Sequence, residues 1–121
     1  MNAAKRRFDI YLEDILISIL RIEEYLGEMD FIEFKRNYLV VDAVVRNFEI
    51  IGEASKNIPK NIQNKYPSVP WRKMTGLRNL ISHEYFGIDY EMIWTIAKNS
   101  LPQNRIDILL IIETERITKN K

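Results

Sequence analysis

Apolar residues recur every three or four positions along most of the chain, which is the spacing of one face of an α-helix. The first such stretch ends at Gly27, a residue type that commonly follows helices. Asp30 and Glu33 form a capping-box pattern that predicts a short second helix. A long helix is then predicted from about Asn37 to Ala54. The apolar faces of the two long helices are Phe8, Leu12, Ile15, Ile19, Ile22 and Leu26, and Val41, Val44, Val45, Phe48 and Ile51.

Prolines divide the second half of the chain. Residues 57–70 contain three of them, so we expect a connection there, with one helical turn after Pro59 and a new helix at Pro70. Beyond Gly87, Asp89 is the expected N-cap of the next helix, which we expect to be interrupted at Pro102. The first of these helices is predicted to bury Trp71, Met74, Leu77, Leu80 and Ile81, and the next to turn Ile93, Ile96 and Ala97 inward. The spacing of Ile106, Leu109, Leu110, Glu113 and Ile117 predicts a last helix.

The β-branched runs all lie within this helical spacing, so we predict an all-α bundle of four to five helices. A length of 121 residues suits one domain, and we expect a single domain over residues 1–121. The chain has no cysteine and one histidine, which excludes disulfides, a thiol nucleophile and the usual single-chain zinc sites. Its longest apolar runs are too short to span a membrane, so we expect a cytoplasmic protein.

Basic charge is concentrated in the middle of a chain that is nearly neutral overall, with 18 basic and 17 acidic residues. No Asp or Glu lies between Glu53 and Glu84, an interval that holds six cations. Such a segregated stretch can hold a phosphate backbone, although ordinary solvated side chains would have the same pattern. The candidate contacts to an RNA backbone are Lys56, Lys60, Lys65, Arg72 and Lys73. A further charged stripe at helical spacing, Asp42, Arg46, Glu49 and Glu53, can pair along its own helix.

The reactive side chains gather around His83, the only group that ordinarily titrates near neutral pH. Arg78 lies five residues earlier and is suited to bind phosphate, but it cannot act as a base. An imidazole and a guanidinium beside RNA are sufficient for the 2′-hydroxyl to attack its own phosphate. The alternative is a histidine that only caps a helix.

Five residues along a regular helix rotate by about 140°, so Arg78 and His83 share a face only if the helix ends or bends between them. Cleavage also needs two proton transfers, and one chain has one histidine. A two-fold dimer in which both protomers line one cleft would meet both needs.

The run Arg78-Asn79 followed by His83-Glu84-Tyr85 resembles the R-x-x-x-x-H-x-Y motif of HepT-like HEPN toxins. The resemblance covers nearly the whole chain. Further segments that match the family in order and spacing are residues 42–54 with their Ile-Gly-Glu-Ala run, Tyr66-Pro67, Pro70-Trp71-Arg72, Trp94 and Leu101-Pro102.

This resemblance implies a HEPN-type helical domain that forms a homodimer, with a ribonuclease site at the dimer cleft that uses no metal or other cofactor. It implies a toxin of a toxin–antitoxin pair, in which Arg78 and His83 are the catalytic pair and Asn79 helps to orient them. Tyr85 then matches the tyrosine to which an MntA-type nucleotidyltransferase antitoxin transfers AMP. Added phosphate and bulk near the catalytic histidine would block RNA.

Two other functions are compatible with the same sequence. The domain could be a non-catalytic, nucleotide-binding or substrate-presenting companion of a minimal nucleotidyltransferase. It could also be a structural helical adaptor, which would need neither Arg78 nor His83. Asp42, Arg46 and Glu53 are either structural or part of the site.

Overall fold

The computed structural model describes the backbone of residues 3–80 and 89–119 and the side chains of residues 8–80 and 89–116. Within these residues all regular structure is helical, which confirms the all-α prediction. Seven α-helices are present there, more than the four to five predicted. They are α1 (Ala3–Leu26), α2 (Phe31–Arg36), α3 (Tyr38–Lys56), α4 (Lys60–Lys65), α5 (Trp71–Gly76), α6 (Tyr90–Thr95) and α7 (Leu101–Lys119).

The helix ends follow the local chemistry that the sequence predicts. Gly27 adopts a φ of 48° directly after α1, a left-handed conformation that glycine tolerates at little cost. Asp30 and Glu33 form the predicted capping box, with both reciprocal hydrogen bonds present. Asn37 caps α3, and the Asp89 side chain accepts a hydrogen bond from the Met92 amide at the start of α6.

The interruption predicted at Pro102 is present as a change of helix type and not as a break in the helix. Helical backbone runs from Tyr90 to Lys119, with a π-helical turn at Ile96–Ser100 between α6 and α7. Pro102 is the second residue of α7, directly after that widened turn. A proline has no amide hydrogen and crowds the preceding turn, so the wider π turn accommodates it without ending the helix.

The residues whose spacing predicts the last helix do not form its buried face. Ile106 and Leu110 are 53% and 60% exposed, whereas Ile108 and Ile111 are buried. Apolar residues occupy both sides of α7, and two polar residues, Asn104 and Glu115, complete its buried face. Apolar spacing alone therefore indicates the wrong side of α7.

The core lies around α3, which packs against α1, α2, α5 and the 3-10 turn that follows α5. Helix α7 packs on the other side of α1, where the Arg105 Nε lies 3.1 Å from a Glu23 carboxylate oxygen. The predicted inner faces of α1 and α3 are confirmed, since Leu12, Ile15 and Phe48 are fully buried. None of the described helices is long and apolar enough to cross a membrane.

A buried carboxylate ties the end of α7 to α4. Glu115 is 6% exposed and accepts hydrogen bonds from the Lys65 Nζ at 2.8 Å and the Tyr66 hydroxyl at 2.5 Å. Burial, together with the hydrogen bond to Glu115, raises the pKa of Tyr66 to about 12. Tyr66 also accepts a hydrogen bond through its carbonyl from the Trp71 indole, at 3.0 Å. These contacts hold the proline-rich connection against the bundle and set where α5 begins.

The closest approach between α3 and the turn after α5 occurs at Gly52. A Cβ atom at this position would lie 2.7 Å from the Cβ of Arg78 and even closer to the Arg78 backbone nitrogen. Any side chain larger than hydrogen would therefore separate the helix from the turn. Gly52 is required here for close packing, because its φ is in the ordinary helical region.

We predict that Gly52→Ala destabilises the fold by about 1–3 kcal/mol, the usual range for overpacking a close contact. Denaturant unfolding followed by circular dichroism measures this change. Gly76→Ala is the matched control, because no atom lies within 4 Å of a Cβ at Gly76. The control substitution is expected to leave stability unchanged or raise it by up to about 1 kcal/mol through helix propensity. Equal effects of the two substitutions would contradict the packing role of Gly52.

Candidate functional site

Arg78 lies in a 3-10 turn, Leu77–Asn79, that follows α5 directly. Leu77 is buried in the core and anchors this turn, and Gly52 lets its backbone rest on α3. The Arg78 side chain is 35% exposed and leaves the turn toward solvent. The point from which this side chain leaves the backbone is thus set by packing between two elements.

Glu53 forms an ion pair with Arg78, with 3.2 Å between Oε2 of the carboxylate and Nη1 of the guanidinium. The Glu53 side chain is 55% exposed, so this pair contributes little to stability. Its consequence is orientation, because the carboxylate limits where the guanidinium points. The predicted pairing along α3 was wrong, since none of the three ion pairs among the described side chains joins two residues of that charged stripe.

Arg78 and Asn79 line a groove of about 510 Å³ between α1, α3 and the 3-10 turn. The groove also contains the Glu53 carboxylate, which links the site to α3. Its other described lining residues are Tyr11 and Asp14 from α1, Arg46, Glu49, Ile50 and Ala54 from α3, and Asn57, which directly follows α3. His83 and Tyr85 lie outside the described residues. The structure therefore brings together Arg78, Asn79 and Glu53, and does not test the predicted pairing of Arg78 with His83.

Three of the five candidate RNA-binding cations lie together. Lys56, Lys60 and Arg72 line one pocket of about 350 Å³, at the place where the end of α3 and the start of α4 meet α5. The other described residues of this pocket are Gln63, Trp71 and Thr75. Trp71 is only 7% exposed and its indole is hydrogen-bonded to the Tyr66 carbonyl, so this wall of the pocket is rigid. We call this concavity the basic pocket.

The other two candidate cations lie elsewhere. Lys65 is occupied by the buried Glu115 carboxylate at 2.8 Å. Lys73 lines a separate, mainly apolar cavity of about 540 Å³ whose described walls include Met74, Leu77 and Leu80. Because neighbouring residues in a helix point about 100° apart, Arg72 and Lys73 reach different sides of α5. The concentration of basic residues in the sequence does not show that these two side chains lie on different surfaces.

The basic pocket borders the groove that contains Arg78. Lys56 and Asn57 are consecutive at the end of α3, and one lines the pocket while the other lines the groove. Thr75 in the pocket and Arg78 in the groove are three residues apart, on adjacent turns. A chain of phosphates extending from Arg78 thus has a cationic surface beside it. No group of three or more acidic or histidine side chains that could hold a metal ion occurs in the described part of the chain.

The sequence of this chain is similar to those of one known protein family. The ribonuclease HepT-like family model matches residues 15–109, a range that includes the groove and the basic pocket except for Tyr11 and Asp14 of α1 at its edge. A candidate RNase of Methanocaldococcus jannaschii is 41% identical over 108 residues, covering 89% of this chain and 99% of that protein. A probable ribonuclease HepT of Thermococcus cleftensis is 43% identical over 98 residues, covering 81% and 89% of the two chains.

No solved structure matches this fold significantly. The family match covers well over half of the chain, and the relatives align over most of their own length. The protein therefore belongs to the HepT-like ribonuclease family.

Proposed function

We propose that this protein is the ribonuclease toxin of a toxin–antitoxin pair and that it cleaves RNA without a metal ion. The observation that supports this most is the placement of Arg78. Its guanidinium is oriented by Glu53, exposed to a groove, and bordered by a basic pocket. An arginine in such a position binds a phosphodiester and stabilises the charge that develops on it. Family membership makes RNA the substrate that fits this chemistry.

In this mechanism the 2′-hydroxyl of the substrate attacks the adjacent phosphorus, and the 5′-oxygen of the next nucleotide leaves. The products are a 2′,3′-cyclic phosphate and a 5′-hydroxyl. Arg78 binds the phosphate, His83 moves protons, and Asn79 helps to orient these groups. We further propose that the single domain acts as a homodimer whose two protomers line one cleft, which supplies two histidines.

The proposed activity is tested by incubating the purified protein with end-labelled RNA in excess EDTA and analysing the product ends. We expect cleavage that leaves a 2′,3′-cyclic phosphate, and a fall of about 100-fold or more in Arg78→Ala and His83→Ala. Arg21→Ala removes an exposed arginine of α1 and is the control that should retain activity.

Cleavage that persists in both site variants would contradict the assigned residues. If folded wild-type protein with an unmodified Tyr85 fails to cut any RNA, the ribonuclease proposal is wrong. The companion-subunit function would then be the better account.

We also propose that an MntA-type nucleotidyltransferase silences this protein by transferring AMP from ATP to Tyr85. The added phosphate places negative charge two residues from His83, where RNA phosphate must approach. We predict that Tyr85→Phe remains toxic in cells but is no longer neutralised when the antitoxin is co-expressed. Mass spectrometry of both proteins locates the AMP. Modification of Tyr85→Phe at another residue, with full neutralisation, would contradict this assignment.

The basic pocket accounts for RNA affinity in this proposal, so binding should weaken as salt rises. Each phosphate contact contributes about 0.7 to the slope of log K against log salt for single strands. We predict that Arg72→Gln weakens binding of single-stranded RNA and reduces that slope by up to about 0.7. Lys73→Gln is the matched control: it removes the same charge from the same helix but lies on the other side. Equal loss in both variants would indicate a general charge effect and contradict a localised pocket.

A further inference from the structure

The proposed cleavage requires two proton transfers, and Arg78 can perform neither of them because guanidinium stays protonated. The attacking 2′-hydroxyl must lose a proton, and the leaving 5′-oxygen must gain one. The chain has a single histidine, so each protomer has one imidazole for these two tasks. The proposed dimer brings two imidazoles to one cleft, but a second acid–base group beside Arg78 would let each protomer carry out both proton transfers with its own His83.

Glu53 is the acidic residue in direct contact with Arg78, at 3.2 Å between Oε2 and Nη1. Its side chain is 55% exposed and lines the same groove, so it is accessible to a ligand. A guanidinium carries five N–H donors, which allows Arg78 to hold a phosphate while it keeps its contact with a carboxylate. The 2′-oxygen must lie beside the phosphorus that it attacks. A phosphate on Arg78 therefore places that hydroxyl near the Glu53 carboxylate.

We infer that Glu53 is the general base of the reaction. Its carboxylate takes the proton of the 2′-hydroxyl as the bond between the 2′-oxygen and phosphorus forms. The bond between phosphorus and the 5′-oxygen breaks, and the 5′-oxygen takes a proton from His83, the acid under the proposed function on which this inference rests. The reaction needs no co-reactant, because Glu53 accepts one proton and His83 donates the other. Glutamate is among the side chains that serve as bases in such steps.

Other charged and titratable groups surround Glu53 in the groove. Arg78 faces it from the 3-10 turn, Arg46 and Glu49 lie on its own helix, and Tyr11 and Asp14 line the groove from α1. Among the described residues, only Glu53 forms an ion pair with Arg78. The packing of Gly52 on the Arg78 backbone keeps the adjacent Glu53 at this position.

The test compares Glu53→Gln and Glu53→Asp with the wild type in single-turnover RNA cleavage in EDTA. Glutamine keeps a carbonyl oxygen that can accept a hydrogen bond from Arg78 but cannot act as a base at neutral pH. We expect Glu53→Gln to lower the cleavage rate by about 100-fold or more, and Glu53→Asp to restore at least about tenfold of that loss. Asp42→Asn is the control, because Asp42 lies on the exposed side of α3 outside the groove.

Three further readouts separate a base from a residue that only positions Arg78. Affinity for a fully 2′-O-methylated RNA, which cannot be cut, should change by less than about threefold in Glu53→Gln. The wild-type rate should fall at acid pH as carboxylates become protonated, and this limb should be lost in Glu53→Gln. With a 5′-thio leaving group, which needs no proton, cleavage by His83→Ala should recover while cleavage by Glu53→Gln should not.

Several results would overturn the inference. Cleavage by Glu53→Gln within threefold of the wild-type rate would show that Glu53 is not the base. A defect that lies entirely in affinity for the methylated RNA would make Glu53 a positioning residue. Recovery of Glu53→Gln on the 5′-thio substrate would make Glu53 the acid. Failure of the wild type itself to cut would remove the proposed function and this inference together, so the two failures are distinguishable.

Discussion

The site depends on the contact between Gly52 of α3 and the backbone of Arg78. Helix α3 is the centre of the bundle, and the 3-10 turn after α5 rests on it without an intervening side chain. Because protein interiors are closely packed, this contact leaves little freedom to the turn. The next residue of α3, Glu53, then lies where its carboxylate meets the guanidinium. One close approach thus positions both charged groups of the groove.

The distribution of charge explains how a nearly neutral protein can present a site for a polyanion. Acidic groups remain in the groove beside Arg78, whereas Lys56, Lys60 and Arg72 form a separate cationic surface next to it. In the proposed function, the basic pocket holds the strand while the mixed groove performs chemistry on one phosphate. Lys65 serves the fold instead, because it compensates the buried Glu115.

Local sequence rules predicted the helix ends well, because capping depends on neighbouring residues such as Asp30, Glu33 and Gly27. They failed on α7, whose two sides are both apolar and whose buried face includes Glu115. They also could not assign Glu53. Its partner lies 25 residues away in the chain, and a stripe of alternating charge predicts pairing within the helix. The division of the cations into a pocket and two other places likewise depends on where α4 and α5 lie beside the end of α3.

The spacing of Arg78 and His83 is the part of the site that the sequence predicts most directly. It is recognised from a motif and not from helical periodicity. The family match covers this motif, and the fold supplies an arginine in a suitable position. What sequence could not supply was the acidic partner of that arginine, which is visible only once α3 and the 3-10 turn are packed together.

The most direct measurement is a crystal structure of the protein with an RNA oligonucleotide that carries a single 2′-deoxy position and cannot be cut there. We expect a phosphate within hydrogen-bond distance of the Arg78 guanidinium, with the preceding sugar beside Glu53 and the strand continuing over Lys56 and Arg72. A strand bound elsewhere, with the groove beside Arg78 vacant, would contradict it.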